Sequence, residues 1–472
     1  VRECAFEMLA MLAHQGIKQG DRVGLLVADP VDFGVCFLAL LSAGIWVAPL
    51  DSTVLRAQSP ALRERATRLG LRSIVGRASA DGQAGAWTFE PLATSAERIV
   101  HEGRSAAEVS CGGVILATSG TTGTPKVMML PIAQLLHTAA LVASHNRLES
   151  SDRGFNPLPL WHINGEVVGV LATLVAGASL VLDDHFHRTE FWTLIDRFEA
   201  TWINAVPAII SRLVQLQPGE AAPARVRFIR SASAPLSAVV LEAFETNTGI
   251  TVIESYGMTE AASQICANPL EGPRKVGSVG PAVGVEVRVT PSSDFVDVES
   301  RSTGVGPVEI RGPSVIRRYE GAGYEDRFDV DGWLRTGDVG YLDEEGYLFL
   351  VGRSDDVINR GGEKIFPREI EDVILGVAGV SAAAVVGVPD EVFSQVPVAY
   401  VQLRGVDEST GIEELLLKSK EIREVLIDEF ARARRPVSIN VVAQMPRHST
   451  GKIQKKVLEE GKVPVLLRED VT

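Results

Sequence analysis

Cysteine is scarce. The 472 residues include four, at Cys4, Cys36, Cys111 and Cys266, and no CxxC pair. A disulfide framework or a zinc knuckle needs clustered, regularly spaced cysteines, so the pattern supports neither. Four reduced, mostly buried thiols in a cytoplasmic protein are expected. Positive charge is also in deficit: Lys plus Arg is 46, Asp plus Glu is 60, and the net charge is −14. A general nucleic-acid binder needs a basic footprint, so no nucleic-acid partner is expected. A local basic pocket for a nucleotide is compatible with that balance. The opening residues carry no secretory pattern, and the chain has no internal repeat or low-complexity tract. The most apolar stretch, Phe33 to Leu50, is broken by Gly34, Ser42, Gly44 and Pro49 and flanked by Asp32 and Asp51. It reads as a buried helix followed by a buried strand, IWVAPL, rather than a membrane span.

Hydrophobic residues make up 46% and charged residues 22% of the chain, the balance of a globular protein. At a prior of ~150 residues per domain, the length allows about three units, or one large unit and a smaller one. Short apolar strands alternate with helical segments: DRVGLLVA, then Asp32 to Ala43, then IWVAPL; later ASLVLDD, TWINAVP, RVRFIRSAS and TVIESYG. Such alternation predicts α/β architecture with mostly parallel sheets. After about residue 280 the texture changes to short strands with glycine turns, VEVRVT, GPVEIRG and GYLDEEGYLFLVG, which predicts an antiparallel barrel or sheet. After Gly352 a third texture follows, with SAAAVVGVP, VPVAYVQLR, a helical stretch from Ile412 to Ala433, and VSINVVAQMP. GRSDD at the join reads as a hinge.

The densest local signal is TSGTTGTPKVMML, Thr118 to Leu130, directly after the strand-like GGVILA. Hydroxyls of Thr118, Ser119, Thr121, Thr122 and Thr124 alternate with Gly120 and Gly123, and Lys126 closes the run. Glycines permit close backbone approach, amides and hydroxyls form an anion nest, and the lysine adds a point charge. The fitting ligand is a polyphosphate. It is not a Walker A loop, because Pro125 precedes the lysine and Val127 follows it.

This run resembles the phosphate loop of adenylate-forming enzymes, the superfamily of acyl-CoA synthetases, peptide-synthetase adenylation domains and beetle luciferases. That loop usually has glycine where this chain has Val127. Five further segments are similar to the family in its order: PLPLWHINGE, RSASAPL, ESYGMTE, GWLRTGD with GRSDDVINRGGEKI, and MPRHSTGKIQKK. The resemblance implies a large N-terminal domain, residues 1–354, of two stacked α/β sheets plus a small β-barrel. A small mobile α+β C-terminal domain, 355–472, follows. It also implies an opening helix upstream of VRECAFEML.

The residue roles follow from the same resemblance. His162 would gate the carboxylate subsite. Ser233, Ala234 and Pro235 would pack on adenine, on which Tyr256 stacks. Thr259 would donate to the α-phosphate, and Glu260 would hold Mg²⁺, a hard ion suited to carboxylates. Asp338 would take both ribose hydroxyls, its two oxygens matching a vicinal diol. Arg353 would reach ribose and phosphate. Asp355 matches the hinge, and Gly361 and Gly362 the tunnel for CoA. Lys452 matches the catalytic lysine, a cation between carboxylate and phosphate. Trp161, Asn164, Asn204, Ser231, Gly257 and Met258 would shape the acyl pocket. Gly257 replaces a tryptophan of acetate-activating relatives, so a small acid larger than acetate is expected. Arg432, Arg434 and Arg435 read first as charge at a helix C-terminus, with the 3′-phosphate of CoA as the alternative.

The implied activity uses ATP and Mg²⁺ to convert an acid to an acyl-adenylate, then transfers the acyl group to CoA. FIRSAS and INRGGEKI look closest to CoA ligases of small or medium acids, including the oxalate–CoA ligase-like group. A ligase that loads a carrier-protein thiol and a nucleotide-binding relative without turnover are the alternatives.

Overall fold

In the computed structural model the described residues are 2–55, 59–80, 83–92, 112–118, 126–214, 220–292, 295, 304–321, 323–407, 409–447 and 452–471. Strands joined by a tight turn pair antiparallel, while parallel pairs need a longer crossover. The first sheet holds β1 (Arg22–Leu26), β2 (Trp46–Pro49), β3 (Ser73–Ala80), β4 (Gln83–Pro91), β5 (Gly113–Thr118) and β6 (Lys126–Pro131), in the order β4-β3-β1-β2-β5-β6. The second holds β7 (Arg153–Asn156), β8 (Ser179–Leu182), β9 (Trp202–Ala205), β10 (Phe228–Ser231), β11 (Thr251–Met258) and β12 (Ser263–Ala267), in the order β12-β11-β10-β9-β7-β8. It is parallel except for β12, which folds back on β11. The apolar run beginning at Phe33 is a helix, Pro30–Ser42, followed by β2, both largely buried. Asp29 caps that helix by accepting from the amides of Val31 and Asp32. Among the described residues no helix is long and apolar enough to cross a membrane.

The third sheet is antiparallel: β13 (Ser278–Pro281), β14 (Glu286–Val289), β15 (Gly306–Arg311), β16 (Leu334–Leu342) and β17 (Tyr347–Arg353), in the order β13-β17-β16-β15-β14. The antiparallel barrel or sheet expected after residue 280 is, among the described residues, this five-stranded sheet. One apolar cluster links the three sheets through Val23, Phe37, Met128, Val168, Trp202, Phe228 and Leu334.

A short turn, Ser354–Asp356, leads to the fourth sheet. It comprises β18 (Ile358–Arg360), β19 (Glu363–Ile365), β20 (Val380–Asp390), β21 (Ser394–Leu403), β22 (Ser438–Val442) and β23 (Leu467–Asp470). The order is β19-β18-β21-β22-β23, with β20 on β21. Its two apolar clusters draw only on residues from Ile358 onward. The helix Ile412–Glu429 packs on this sheet through Leu415, Ile422 and Leu426.

The β11–β12 hairpin decides what Gly257 is for. Ala262 (φ 52) and Ser263 (φ 101) take the left-handed backbone needed to turn β12 back, with a register shift between Tyr256 and Gly257. A Cβ on Gly257 would fall 1.7 Å from the Ser263 carbonyl oxygen. Close backbone approach requires this glycine, which corrects the expectation that its missing side chain gives the acyl group room. Gly257→Ala should destabilise the protein by about 2 kcal/mol or more, read as a fall in the thermal midpoint. An unchanged midpoint would contradict this packing.

Candidate active site

Lys126 opens β6 and is paired in register with Thr118 at the end of β5. The phosphate-loop residues Ser119, Gly120, Thr121, Thr122 and Gly123 lie outside the described residues, as does the side chain of Thr118. Val127 is a buried strand residue whose backbone carbonyl accepts from the Glu320 amide at 2.8 Å. A β-branched residue suits that place better than glycine. The Lys126 ammonium lies 5.5 Å from the ring centroids of both Tyr319 and Tyr324. The Tyr319 hydroxyl donates to Glu260 Oε1 at 2.8 Å. Burial lowers the Lys126 pKa, Arg327 lowers it further, and Glu260 opposes both.

The end of the second sheet supplies Ser231, Tyr256, Met258, Thr259 and Glu260. Ser233 has φ 75, the left-handed region that favours glycine. Ala234 and Pro235 are exposed beside it. The third sheet supplies Asp338 and Arg353, which are register partners across β16 and β17. Tyr256 donates its hydroxyl to Asp338 Oδ2, so the expected adenine platform and ribose carboxylate are joined directly. Arg353 Nη1 lies 3.5 Å from Asp338 Oδ1. Gly337 of the TGD run has φ 83, and a Cβ there would come 3.0 Å from the Arg353 guanidinium. Burial pushes the Asp338 carboxyl upward; Arg353, the Tyr256 hydroxyl and Lys452 counter it.

Lys452 comes from the C-terminal segment and completes the cluster. Burial lowers its pKa, and the charges of Asp338, Arg353 and Glu260 act on it. It stays accessible to solvent, as befits a group lining a cleft. Its charge also reaches His162, whose imidazole burial pushes down to about 4, with Asp51 opposing. His162 is therefore neutral near pH 7. Trp161 lies beside it, ring centroids 6.3 Å apart. Asp355, in the turn between the third and fourth sheets, is within electrostatic reach of Lys126 and Arg353. Asn164, Asn204 and Ser231 are each buried, and Asn204 Nδ2 donates to Asn164 Oδ1 at 3.2 Å.

Gly361 and Gly362 are the exposed turn of the β18–β19 hairpin, with φ 61 and φ 100. Two consecutive positive φ values are what a tight two-residue hairpin requires. No described contact brings them to Lys452 or Asp338. Arg434 pairs with Glu369, and Arg435 donates to the carbonyls of Phe430 and Ile427 at the end of a helix. Arg435 therefore takes the place at a helix C-terminus that its first reading expected, whereas Arg434 is held by Glu369. Tyr319, Tyr324 and Arg327 were not anticipated. The only sequence signal was their spacing in RYEGAGYEDR.

A carboxylate with one oxygen taken by Tyr319, two lysines, an arginine and a tyrosine–aspartate pair thus stand in one electrostatic cluster. Comparisons with known proteins give the family. Residues 1–320 match the AMP-binding enzyme family, and 369–452 match the AMP-binding enzyme C-terminal domain. The oxalate–CoA ligase of Arabidopsis thaliana is 33% identical over 473 residues, covering 95% of this chain and 90% of that protein. The sulfoacetate–CoA ligase of Cupriavidus necator is 40% identical over 345 residues, 72% of this chain and 65% of that protein. The crystal structure of ATP-bound MatB from Rhodopseudomonas palustris superposes with a TM-score of 0.80 at 28% identity, covering 97% of this chain and 92% of that one. O-succinylbenzoate coenzyme A synthetase from Bacillus subtilis, solved with ATP and magnesium ion, gives 0.75 at 25% identity, covering 97% and 93%. The chain belongs to the AMP-binding enzyme family, in its acid–CoA ligase branch.

Because His162 is neutral, it should contribute no ionisation to turnover between about pH 5.5 and 8. His162→Asn should leave the shape of the pH–rate profile unchanged across that range, whatever it does to the amplitude. Loss of an acid limb in the variant would contradict the neutral assignment.

Proposed function

We propose that this chain activates a small carboxylic acid with ATP, forming an acyl-adenylate and pyrophosphate, and then passes the acyl group to CoA with release of AMP. The observation that carries this reading is the gathering of Lys126, Lys452, Glu260, Asp338 and Arg353 from four separate segments into one electrostatic cluster. In the first step a substrate carboxylate oxygen bonds to the α-phosphorus and the bond to pyrophosphate breaks. Both reactants are anionic, so positioning and charge neutralisation are the work to be done. Lys452 bridges carboxylate and phosphate, while Lys126 meets the polyphosphate. Tyr256, with Ser233, Ala234 and Pro235, takes the adenine. Asp338 takes the ribose hydroxyls, and Thr259 donates to the α-phosphate.

Glu260 suits Mg²⁺: a hard carboxylate oxygen beside the phosphate lysines, oriented by Tyr319. When bound, the ion would neutralise phosphate charge. The second step requires Lys452 to withdraw. Rotation of residues 355–472 about Asp355 against 1–354 would remove it and bring Gly361 and Gly362 to the thiol path. The named substrates of the relatives, oxalate and sulfoacetate, support a small acid.

Lys452→Ala should cut adenylate formation by about 100-fold or more while leaving thioester formation from supplied acyl-AMP within a few-fold. Pyrophosphate exchange and CoA-dependent consumption of acyl-AMP measure the two steps. Equal loss of both would contradict the role of Lys452.

A further inference from the structure

The second sheet hides a cation that the nucleotide chemistry does not use. Arg230 interrupts the apolar strand β10 and is 1% exposed. Its register neighbours are Asn204 on β9 and Ile253 on β11. By the alternation of the strand it shares a face with Phe228, whose ring stacks on Trp202. Nη1 donates to Asn164 Oδ1 at 3.3 Å and Nη2 to Gln264 Oε1 at 3.1 Å. Nε has no partner among the described residues. Both acceptors are neutral amides.

Among the described residues no acid offsets this charge. Burial alone lowers the arginine to about 10, with no acid acting against it. Glu166, fully buried with both oxygens unpartnered, is pushed well above the carboxylate range by burial alone, so it is not the counter-ion. The nearby His145 is lowered by burial and, in part, by the charge of Arg230. An uncompensated buried charge is strongly unfavourable and calls for an anion.

The surroundings are built to receive one. Nδ2 of Asn164 and Nε2 of Gln264 are buried donors without partners among the described residues. Asn204 Nδ2 donates to Asn156 Oδ1 at 2.8 Å and to Asn164 Oδ1 at 3.2 Å, which fixes the Asn164 amide with its oxygen toward Arg230. Unpartnered donors around a guanidinium complement an oxyanion with several acceptor oxygens. Asn164, which accepts from the guanidinium, lies two residues from His162, a group within electrostatic reach of Lys452.

We infer that Arg230 binds the second acidic group of a doubly charged substrate. One carboxylate is activated at the nucleotide, and a distal carboxylate or sulfonate is held by the guanidinium with Asn164 and Gln264. This rests on the acid–CoA ligase reading above and specifies the class of acid.

The test is pyrophosphate exchange by the full chain with oxalate, malonate, succinate and sulfoacetate, set against acetate, propionate and butyrate. At least one doubly charged acid should exceed every singly charged acid by about 100-fold in kcat/KM. The dicarboxylates against sulfoacetate distinguish which oxyanion is held. Arg230→Gln should remove about 100-fold for the preferred acid while ATP affinity and the singly charged acids change only a few-fold. Arg230→Lys, which keeps the charge, should retain more of that preference and stands in should the Gln variant not fold. Equal or better use of singly charged acids by the unaltered chain overturns the assignment and leaves the ligase reading standing. Equal losses for both kinds of acid in both variants mark Arg230 as structural and also overturn it. Exchange with no acid at all overturns the ligase reading, and this inference with it.

Discussion

Asp338 is the contact on which the arrangement depends. It sits on β16, accepts a hydrogen bond from Tyr256 on β11, faces Arg353 on β17 and is within electrostatic reach of Lys452 from the C-terminal segment. One carboxylate thereby ties together the second sheet, the third sheet and the smaller unit. A buried carboxylate is costly alone and is retained where donors and cations surround it. Here those partners arrive from the second sheet, the neighbouring strand and the C-terminal segment, so the site depends on all three being in place.

The charge distribution divides the site into two ends. At the nucleotide end, lysines 126 and 452 and Arg353 alternate with Glu260 and Asp338, so cations and anions offset each other. At the other end, Arg230 stands among neutral amides inside the second sheet. Neutral His162 lies between the two in sequence logic, near Lys452 by its electrostatics and two residues from Asn164. A net charge of −14 says nothing of this, because anion sites are made by a few placed groups rather than by an overall excess.

Much of this was legible in the sequence. Strand–helix alternation announced the parallel sheets, and the change of texture near residue 280 announced the antiparallel one. Lys126, Tyr256, Glu260, Asp338, Arg353 and Lys452 were each named from a motif, and the structure gathers them. What escaped depends on tertiary contact. Gly257 looked like space for a substrate, yet the Ser263 carbonyl occupies that direction through a hairpin turn no linear pattern records. Gly361 and Gly362 answer first to the φ values of a two-residue turn. Tyr319 and Tyr324 reach Glu260 and Lys126 from a loop with no motif of its own. Arg230 was visible as a lone charge in FIRS, but its missing counter-ion became evident only once its neighbours were known.

Nucleotide affinity in Asp338→Ala tests the account most directly. Calorimetric titration with ATP should show a loss of about 100-fold, because the variant removes a buried, charge-assisted acceptor and leaves Tyr256 and Arg353 without it. The circular dichroism spectrum and cooperative melting should persist, since the apolar clusters of the three sheets do not include this side chain. ATP binding at the affinity of the unaltered chain would contradict the placement of the nucleotide at Asp338.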